Sequence, residues 1–426
     1  MESMKKINTS PISGMQELLP ASQATFNNLK NTISEVYHRH GFLNIETPTI
    51  ERQEILLAKA GGDTEKQIYK VVKTEEAADS ADQALRFDHT VPLARYVVEH
   101  ENDLAFPFKV SQIGRNFRGE RAQKGRFREF YQCDADIIGR GSLPIYYDAD
   151  VIETSLDAFL SFGLDTSIVA RISNRKILSG LILEYGLENK STDIYSIIDH
   201  SEKVPAEETR SAFYEIGLSD EQVALFLAFI DIHGDKEYVI SKLNDLGIEN
   251  PTFADGVKEL DTVLSILEIN GYKDNVIGDM KIVRGLDYYT GTVFEYMLLE
   301  YRQIGSVGGG GRYDNLTGYF TEQVFPGVGS SIGLTRLFYV LNENKLLKSQ
   351  EDRPLDVAIV PITENEIDFA FGVAAKIRTE GRSATLVQTD KKLGDKLNYA
   401  AKIAKSAIII GEDEVKTGEF KEKELN

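Results

Sequence analysis

The chain has 426 residues, of which 42% are hydrophobic and 27% charged, and its formal net charge is -19. This length exceeds what one hydrophobic core usually supports, so we expect two or three domains, and the composition excludes a disordered or fibrous protein. No apolar run reaches the ~18 residues of a membrane span, no signal-peptide pattern is present, and the single Cys133 excludes an internal disulfide, which together predict a cytoplasmic protein with no membrane partner.

The first part of the chain predicts an α+β domain. Residues 24–40 carry apolar positions at helical spacing and predict a helix that ends at Gly41, followed by a strand over 42–45. A second helix is predicted over 147–162. Short apolar or aromatic segments predict four further strands, over 85–88, 107–113, 130–138 and 168–172.

The middle of the chain is helical, acidic and rich in turns, and its most apolar helix is VALFLAFIDI (223–232). Strand patterns resume at 281–299. We therefore expect a helical insertion over 181–275 to interrupt a first domain formed by 1–180 and 276–346. After the insertion this domain continues with two strands, a glycine-rich turn and a last helix near 333–346.

The segment KLLKSQEDRPLD (345–356) is polar and predicts a linker. Beyond it, apolar strands alternate with helices: DVAIVPI, a helix over 364–380, SATLVQ, a helix over 393–405, and SAIIIG. This order predicts a separate α/β domain over 354–426 with a small, largely parallel sheet that is covered on both faces.

Two basic segments stand out in this acidic chain. Residues 109–128 contain seven basic residues and one acidic residue, and residues 376–405 contain eight basic and three acidic residues. Either segment alone is most simply a solvated face, because most charge runs have no ligand. Their value as evidence for a phosphate-bearing partner depends on the motifs around them.

The first basic segment overlaps the strongest chemical signal, GRNFRGERAQKGRFREFYQCDAD (114–136). Five arginines alternate there with aromatic residues, a combination that clamps phosphates and stacks a base. The flanks favour strands, so we expect two antiparallel strands joined by a long charged loop. The pattern alone leaves open whether this is a nucleotide site or an exposed hairpin.

Three later segments add weaker signals. KIVRGLDYYTGTVFEYM (281–297) places an arginine and two tyrosines before a turn, although an ordinary aromatic hairpin has the same appearance. SVGGGGRYDNL (306–316) and GVGSSIGLTRL (327–337) are rich in glycine, which suits close approach to a ligand and also suits a plain turn.

Taken together, these segments resemble the class II aminoacyl-tRNA synthetases, and specifically the histidyl-tRNA synthetase family. GFLNIETPTIE (41–51), FRGER with GRFREFYQ, and GLTR resemble the three class II motifs, with Pro48 at the position that forms the dimer. RGLDYYTGTVFEY and GGRYDNL resemble the two histidine-specific segments. The resemblance implies an antiparallel sheet flanked by helices, a helical insertion, a C-terminal anticodon-binding domain and a homodimer.

The resemblance also implies an activity. Histidine and ATP would form histidyl-adenylate and diphosphate, and the histidyl group would then pass to tRNA(His). Magnesium would be bound only through ATP, with no metal site of the protein's own. The implied catalytic and ATP-binding residues are Arg118 and Arg284 at the α-phosphate, Phe130 and Arg336 around the adenine, and Arg126 and Glu120 at the ATP tail.

The substrate-binding residues are implied by the same match. A site selective for histidine must pair both imidazole nitrogens, because an analogue that cannot do so leaves buried polar groups unsatisfied. The implied contacts are Asp136 and Tyr289 for the imidazole, Asp88, Thr90 and Gln132 for the α-ammonium, Arg284 for the carboxylate, Tyr288 lining the pocket, and Arg121 and Gln123 for the tRNA acceptor end.

Two alternatives have other activities. The regulatory subunit of ATP phosphoribosyltransferase uses the same catalytic fold as a histidine-binding module, but such proteins generally lose the arginine motifs and lack the anticodon module. A class II enzyme of another specificity would require the histidine-specific segments to be accidental.

Overall fold

The computed structural model describes residues 7–58, 65–75, 82–164, 167–283, 289–347 and 353–425. They fall into two compact units, one drawn from 7–16 and 29–340 and the other from 17–28 and 341–425. Within the described ranges no helix is both long and apolar enough to cross a membrane.

The described chain alternates helices and strands. The helices are α1 Pro20–Arg39, α2 Gln53–Leu57, α3 Thr90–Glu99, α4 Tyr146–Leu160, α5 Arg175–Glu184, α6 Ser191–His200, α7 Ala206–Glu215, α8 Asp220–Ile230, α9 Lys236–Asp245, α10 Pro251–Ile269, α11 Leu334–Glu343, α12 Ile367–Thr379, α13 Leu393–Ile403 and α14 Glu412–Thr417. The strands are β1 Leu43–Asn44, β2 Ile50–Arg52, β3 Lys70–Val71, β4 Gln83–Leu85, β5 Phe108–Phe117, β6 Glu129–Ile138, β7 Ile168–Asn174, β8 His233–Gly234, β9 Val276–Asp279, β10 Thr292–Leu298, β11 Gly308–Tyr313, β12 Gly327–Ile332, β13 Leu355–Pro361, β14 Ala384–Leu386, β15 Ala404–Ile410 and β16 Glu422–Glu424.

A nine-stranded sheet in the order β1-β5-β6-β12-β11-β10-β7-β9-β8 is the centre of the first unit. The run from β5 to β7 in that order is antiparallel throughout. One face carries the buried Cys133, Ala135 and Ile137 of β6, and the Tyr37 hydroxyl of α1 donates to the Cys133 carbonyl over 2.9 Å. The predicted fold class, α+β with an antiparallel sheet flanked by helices, is confirmed.

Between β7 and β9 the described chain is mainly helical, as predicted, and VALFLAFIDI lies in α8 except for its last two residues. The helix begins where Ser219 and Gln222 form a reciprocal capping box, which satisfies backbone N–H groups at its first turn. Phe213 of α7 stacks on Phe226 of α8 with ring centroids 5.5 Å apart. The insertion therefore has a small aromatic core of its own.

The structure corrects the bounds of two predicted strands. The strand predicted over 85–88 ends at Leu85, because the chain turns where the buried Arg86 side chain donates to the carbonyls of Thr47 and Arg115. The strand predicted over 281–299 is wrong for 281–283. Strand β9 ends at Asp279, whose carboxylate accepts the backbone N–H of Lys281 at 3.0 Å and turns the chain. Residues 284–288 lie outside the described residues.

The glycine-rich turn predicted within 306–316 is also wrong, because four consecutive glycines open strand β11 in the middle of the sheet. A Cβ atom on Gly310 would lie 2.0 Å from the carbonyl oxygen of Gly329 in β12, and one on Gly308 would lie 2.5 Å from that of Ser331. Glycine in a strand often marks such a close backbone approach.

The second unit contains a four-stranded sheet in the order β14-β13-β15-β16. Its first three strands are parallel and β16 is antiparallel. Alternate residues of β13 face opposite sides: Val357 packs in the cluster that includes α12, and Ala358 packs in the cluster that includes α13. The predicted α/β arrangement, with a largely parallel sheet covered on both faces, is confirmed.

The close approach at Gly310 predicts a stability effect. Replacing Gly310 by Ala should lower the free energy of unfolding by about 1–3 kcal/mol, because the neighbouring backbone must move to admit the methyl group. Gly318→Ala is the matched control, since a Cβ there meets nothing within 4 Å and the residue is exposed. Urea unfolding curves measure both, and equal midpoints for the two variants would contradict the prediction.

Candidate functional site

A cleft opens on the face of the large sheet opposite α1. Alternate residues of β6 and the glycines of β11 line its floor, and the β5–β6 loop and the start of α11 line its sides. The cavity volume of the cleft is about 280 Å³, close to the lower end of the usual range of small-molecule pockets. Nine sequence-predicted site residues line it: Asp88, Thr90, Arg118, Glu120, Arg126, Phe130, Gln132, Tyr289 and Arg336.

Arg118, the first arginine of the FRGER segment, lines the cleft and contacts two aromatic rings. The Arg118 guanidinium is 4.4 Å from the ring centroid of Phe87 and 5.1 Å from that of Phe130. Contacts of this kind hold a cation without using its hydrogen-bond donors. Nε of Arg118 donates to the Phe87 carbonyl at 3.4 Å, and no other hydrogen bond of this guanidinium is found among the described residues. Its terminal nitrogens can therefore donate to an anion.

Arg336, on the first turn of α11, is fixed by backbone. Its Nε donates to the Gly125 carbonyl at 3.0 Å and its Nη1 to the Ser306 carbonyl at 2.7 Å. Burial lowers the pKa of Arg336, and the nearby positive charge of Arg126 lowers it further. Arg126 also faces Glu120, with Nη1 3.5 Å from a carboxylate oxygen. An anion bound here would relieve the repulsion between the arginines.

Buried carboxylates also line the cleft. Asp88 is buried just before α3 and accepts the backbone N–H of Val91 at 3.0 Å, which satisfies one free donor of the helix. Burial raises the pKa of Asp88, and the neighbouring charge of Asp134 raises it too. Thr90 begins the same helix, so the start of α3 places both predicted residues at the cleft.

The two residues predicted to bind imidazole have different surroundings. Tyr289 lines the cleft above β11, where a Cβ on Gly311 would lie 2.9 Å from its ring. Asp136 is buried, accepts the Tyr313 hydroxyl at 2.7 Å, and is not among the described residues that line the cleft. Burial raises the pKa of Asp136 well above its usual value, and the charge of Asp134 adds to the shift.

Two other predicted residues lie outside the described lining of the cleft. Arg121 and Gln123 are exposed in the loop between β5 and β6, where Gln123 and Arg126 form a small backbone bridge. Arg284 and Tyr288 lie outside the described residues. The predicted long charged loop between two antiparallel strands lies at residues 118–128, between β5 and β6.

Sequence reasoning missed several lining residues, among them Asp134, Glu295 and Ser331. Asp134 had a usable signal, because residues two apart on a strand share a face and Gln132, Asp134 and Asp136 alternate along β6. No pattern in the sequence indicated Glu295 or Ser331 as lining residues. They reach the cleft through the cross-strand pairings of Gly309, with Ser331 on one side and Glu295 on the other.

The arrangement suits a ligand pair of opposite charges. Three arginines provide planar, permanently charged donors for phosphate oxygens, and buried carboxylates at Asp88 and Asp134 can receive an ammonium group. Among the described residues no cluster of His, Cys, Asp or Glu could hold a metal ion.

Comparison with known proteins agrees with this geometry. The family model described as histidyl-tRNA synthetase matches residues 14–337, and the one described as anticodon binding domain matches 356–426. The histidine–tRNA ligase of Clostridium tetani is 46% identical over 97% of this chain and 93% of its own length.

Solved structures agree at the level of the whole chain. The histidyl-tRNA synthetase of Nostoc sp. PCC 7120 has a TM-score of 0.85 and is 35% identical, covering 98% of this chain and 97% of its own. A Bacillus halodurans protein described as an ATP phosphoribosyltransferase regulatory subunit/histidyl-tRNA synthetase has a TM-score of 0.79 over 96% of this chain and 100% of its own. At 22% identity it shows the fold alone. The cleft, the two matching family models and the closely similar relative together show that this chain belongs to the histidyl-tRNA synthetase family.

Proposed function

We propose that this chain is a histidine–tRNA ligase, which uses ATP to activate L-histidine and then transfers the histidyl group to tRNA(His). The observation that carries the proposal is a cleft whose lining combines three arginines with the buried carboxylates of Asp88 and Asp134. A triphosphate requires the first group of side chains and the ammonium of an amino acid requires the second. Family membership supplies histidine as the amino acid.

In the first step an oxygen of the histidine carboxylate bonds to the α-phosphorus of ATP, and the bond from that phosphorus to the β-phosphate oxygen breaks. Negative charge develops on the phosphate, so fixed cations provide most of the stabilisation. Arg118 is proposed to bind the α-phosphate, and Arg284 to bind it from the other side together with the histidine carboxylate. No general base is needed, because the attacking carboxylate is already ionised.

Phe130 and Arg336 are proposed to hold the adenine between them. The two carbonyls that fix Arg336 support this role, because a held guanidinium plane offers a flat face for stacking. Arg126 and Glu120 would contact the triphosphate tail. Magnesium would enter as part of the ATP substrate.

Histidine is proposed to place its α-ammonium near Asp88, Thr90 and Gln132, and its imidazole near Tyr289 and Asp136, with Tyr288 lining the pocket. The buried, hydrogen-bonded carboxylate of Asp136 supports a role in recognition of a polar ring, although it lies below the described lining of the cleft. Its partner Tyr313 belongs to the GGRYDNL segment, which gives that segment a physical function.

In the second step the terminal adenosine hydroxyl of the tRNA attacks the histidyl carbonyl and AMP leaves. The exposed Arg121 and Gln123 are proposed to meet the acceptor end, and the C-terminal domain to bind the anticodon. This assigns a phosphate-bearing partner to both basic segments of an otherwise acidic chain.

We further propose a homodimer that works in the cytoplasm, where its proposed tRNA substrate is used. In the segment that resembles the first class II motif, Leu43 is 60% exposed and Ile50 is 46% exposed. Exposed apolar residues in one short segment suit a subunit interface. The family resemblance assigns the dimer to this segment.

The proposed activity predicts a selective exchange reaction. With labelled pyrophosphate and ATP but no tRNA, histidine should support exchange about 10⁴-fold faster than any other amino acid, because a site that pairs buried polar groups rejects ligands that cannot pair them. Exchange with a different amino acid would overturn the specificity. No exchange with any amino acid would favour the regulatory subunit of ATP phosphoribosyltransferase.

The α-phosphate assignment predicts the effect of one substitution. Arg118→Gln should lower the rate of histidine-dependent exchange about 10²- to 10³-fold, because a positioned cation is lost where charge develops. Arg115→Gln is the matched control: this arginine lies on the same hairpin, is 57% exposed and pairs with Glu129. The control should stay within about twofold of the unaltered chain. Equal losses in both variants would mean that the hairpin needs charge in general.

A further inference from the structure

A chain of hydrogen bonds, partly buried at Asn116, Gln132 and Ser331 and fully buried at His89, runs along the cleft floor beside the proposed ammonium site. Nδ2 of Asn116 donates to Oε1 of Gln132 at 2.9 Å, and Nε2 of Gln132 donates to Oγ of Ser331 at 2.6 Å. The Ser331 hydroxyl then donates to Oδ1 of Asp134 at 2.5 Å. On its other oxygen, Asp134 meets Nδ1 of His89 at 2.9 Å.

The direction of these bonds follows from the number of protons available. An ionised carboxylate only accepts, so both Ser331 and His89 must donate to Asp134. Ser331 has one proton, and having given it to Asp134 it can only accept from Gln132. The amide nitrogen of Gln132 is therefore held at Ser331, and its oxygen is left toward Asn116 and the cleft.

His89 is fixed in its turn. Its side chain is 1% exposed, Nδ1 must carry a proton to meet Asp134, and Nε2 is buried with no hydrogen-bond partner among the described residues. A Cβ on Gly114 would lie 3.1 Å from that Nε2 and 2.4 Å from a terminal nitrogen of Arg86. The absence of a side chain at Gly114 therefore leaves room for the imidazole ring of His89 beside Asp134.

We propose that Asp134 is a specificity-determining residue for the α-amino group of the amino acid, and that His89 positions it. This inference rests on the proposed function and deepens it. Asp134 adds a second carboxylate beside Asp88 in the cleft lining, and through Ser331 it directs the oxygen of Gln132 toward a cation. An ammonium group is stabilised by both effects, whereas a ligand without one gains nothing from either.

The test compares three ligands by calorimetry: L-histidine, histidinol, which keeps the ammonium but lacks the carboxylate, and imidazolepropionate, which lacks the ammonium. Asp134→Asn should weaken binding of histidine and histidinol about 10- to 100-fold, the range for loss of a hydrogen bond to a charged group. Binding of imidazolepropionate and of ATP should stay within about twofold. Equal weakening of all three imidazole ligands would show a merely structural role and overturn the proposal.

Further variants separate positioning from charge. His89→Leu should shift the same two ligands in the same direction as Asp134→Asn, and His89→Asn should restore most of the affinity because its amide N–H can replace the Nδ1 donor. Ser331→Ala keeps the charge of Asp134 but frees Gln132, so it should weaken both ammonium ligands about threefold to tenfold. No effect of Ser331→Ala would overturn the role of Gln132 orientation.

Two controls keep the outcomes distinct. Asp150→Asn removes a carboxylate that pairs with Lys109 at 2.8 Å outside the described cleft lining, and it should change no affinity by more than about twofold. Should the unaltered chain bind a different amino acid instead of histidine, the proposed function is wrong. The same comparison, run with that amino acid and its des-amino analogue, then still decides the role of Asp134.

Discussion

The close approach of β11 to β12 and β10 is the constraint on which the rest of the first unit depends. A Cβ at Gly309, Gly310 or Gly311 would come within 2.6 Å of a backbone oxygen on a neighbouring strand. With no side chains there, the middle of the sheet becomes the floor of a cleft rather than part of a core. Side chains of the neighbouring strands β6 and β12, among them Gln132 and Ser331, then line this floor.

A strand of glycines contributes little burial and loses much conformational entropy on folding, so its flanks must hold it. Arg312, directly after the glycines, does this from the opposite face. Its Nη2 lies 2.6 Å from a carboxylate oxygen of Asp148 on α4, and it also donates to the carbonyls of Leu143 and Pro144. Burial raises the pKa of Asp148, and the positive charge of Arg312 opposes that shift. The pair ties the floor of the cleft to the helix behind it.

The cleft lining carries charges of both signs, although the chain as a whole is acidic. Among the described residues, Arg118 contacts the rings of Phe87 and Phe130, and Arg336 donates to two backbone carbonyls. These contacts do not neutralise a positive charge. Asp88 and Asp134 are held by donors and keep their acceptor character. A triphosphate and an amino acid can therefore lie next to each other, each beside charges of the opposite sign.

The sequence by itself determined the fold class, the helical insertion, the C-terminal α/β arrangement and the family, because helical spacing, apolar alternation and contiguous motifs are local patterns. It placed nine residues in the cleft for the same reason, since each lies within a short recognisable segment. Only the tertiary structure decided that the glycine run is a central strand. The oxygen atoms that exclude a Cβ there belong to β10 and β12, which are separate segments that pair with β11 only in the folded sheet. Only the tertiary structure joined His89, Asp134 and Ser331, since a hydrogen bond across 197 residues of sequence leaves no local pattern.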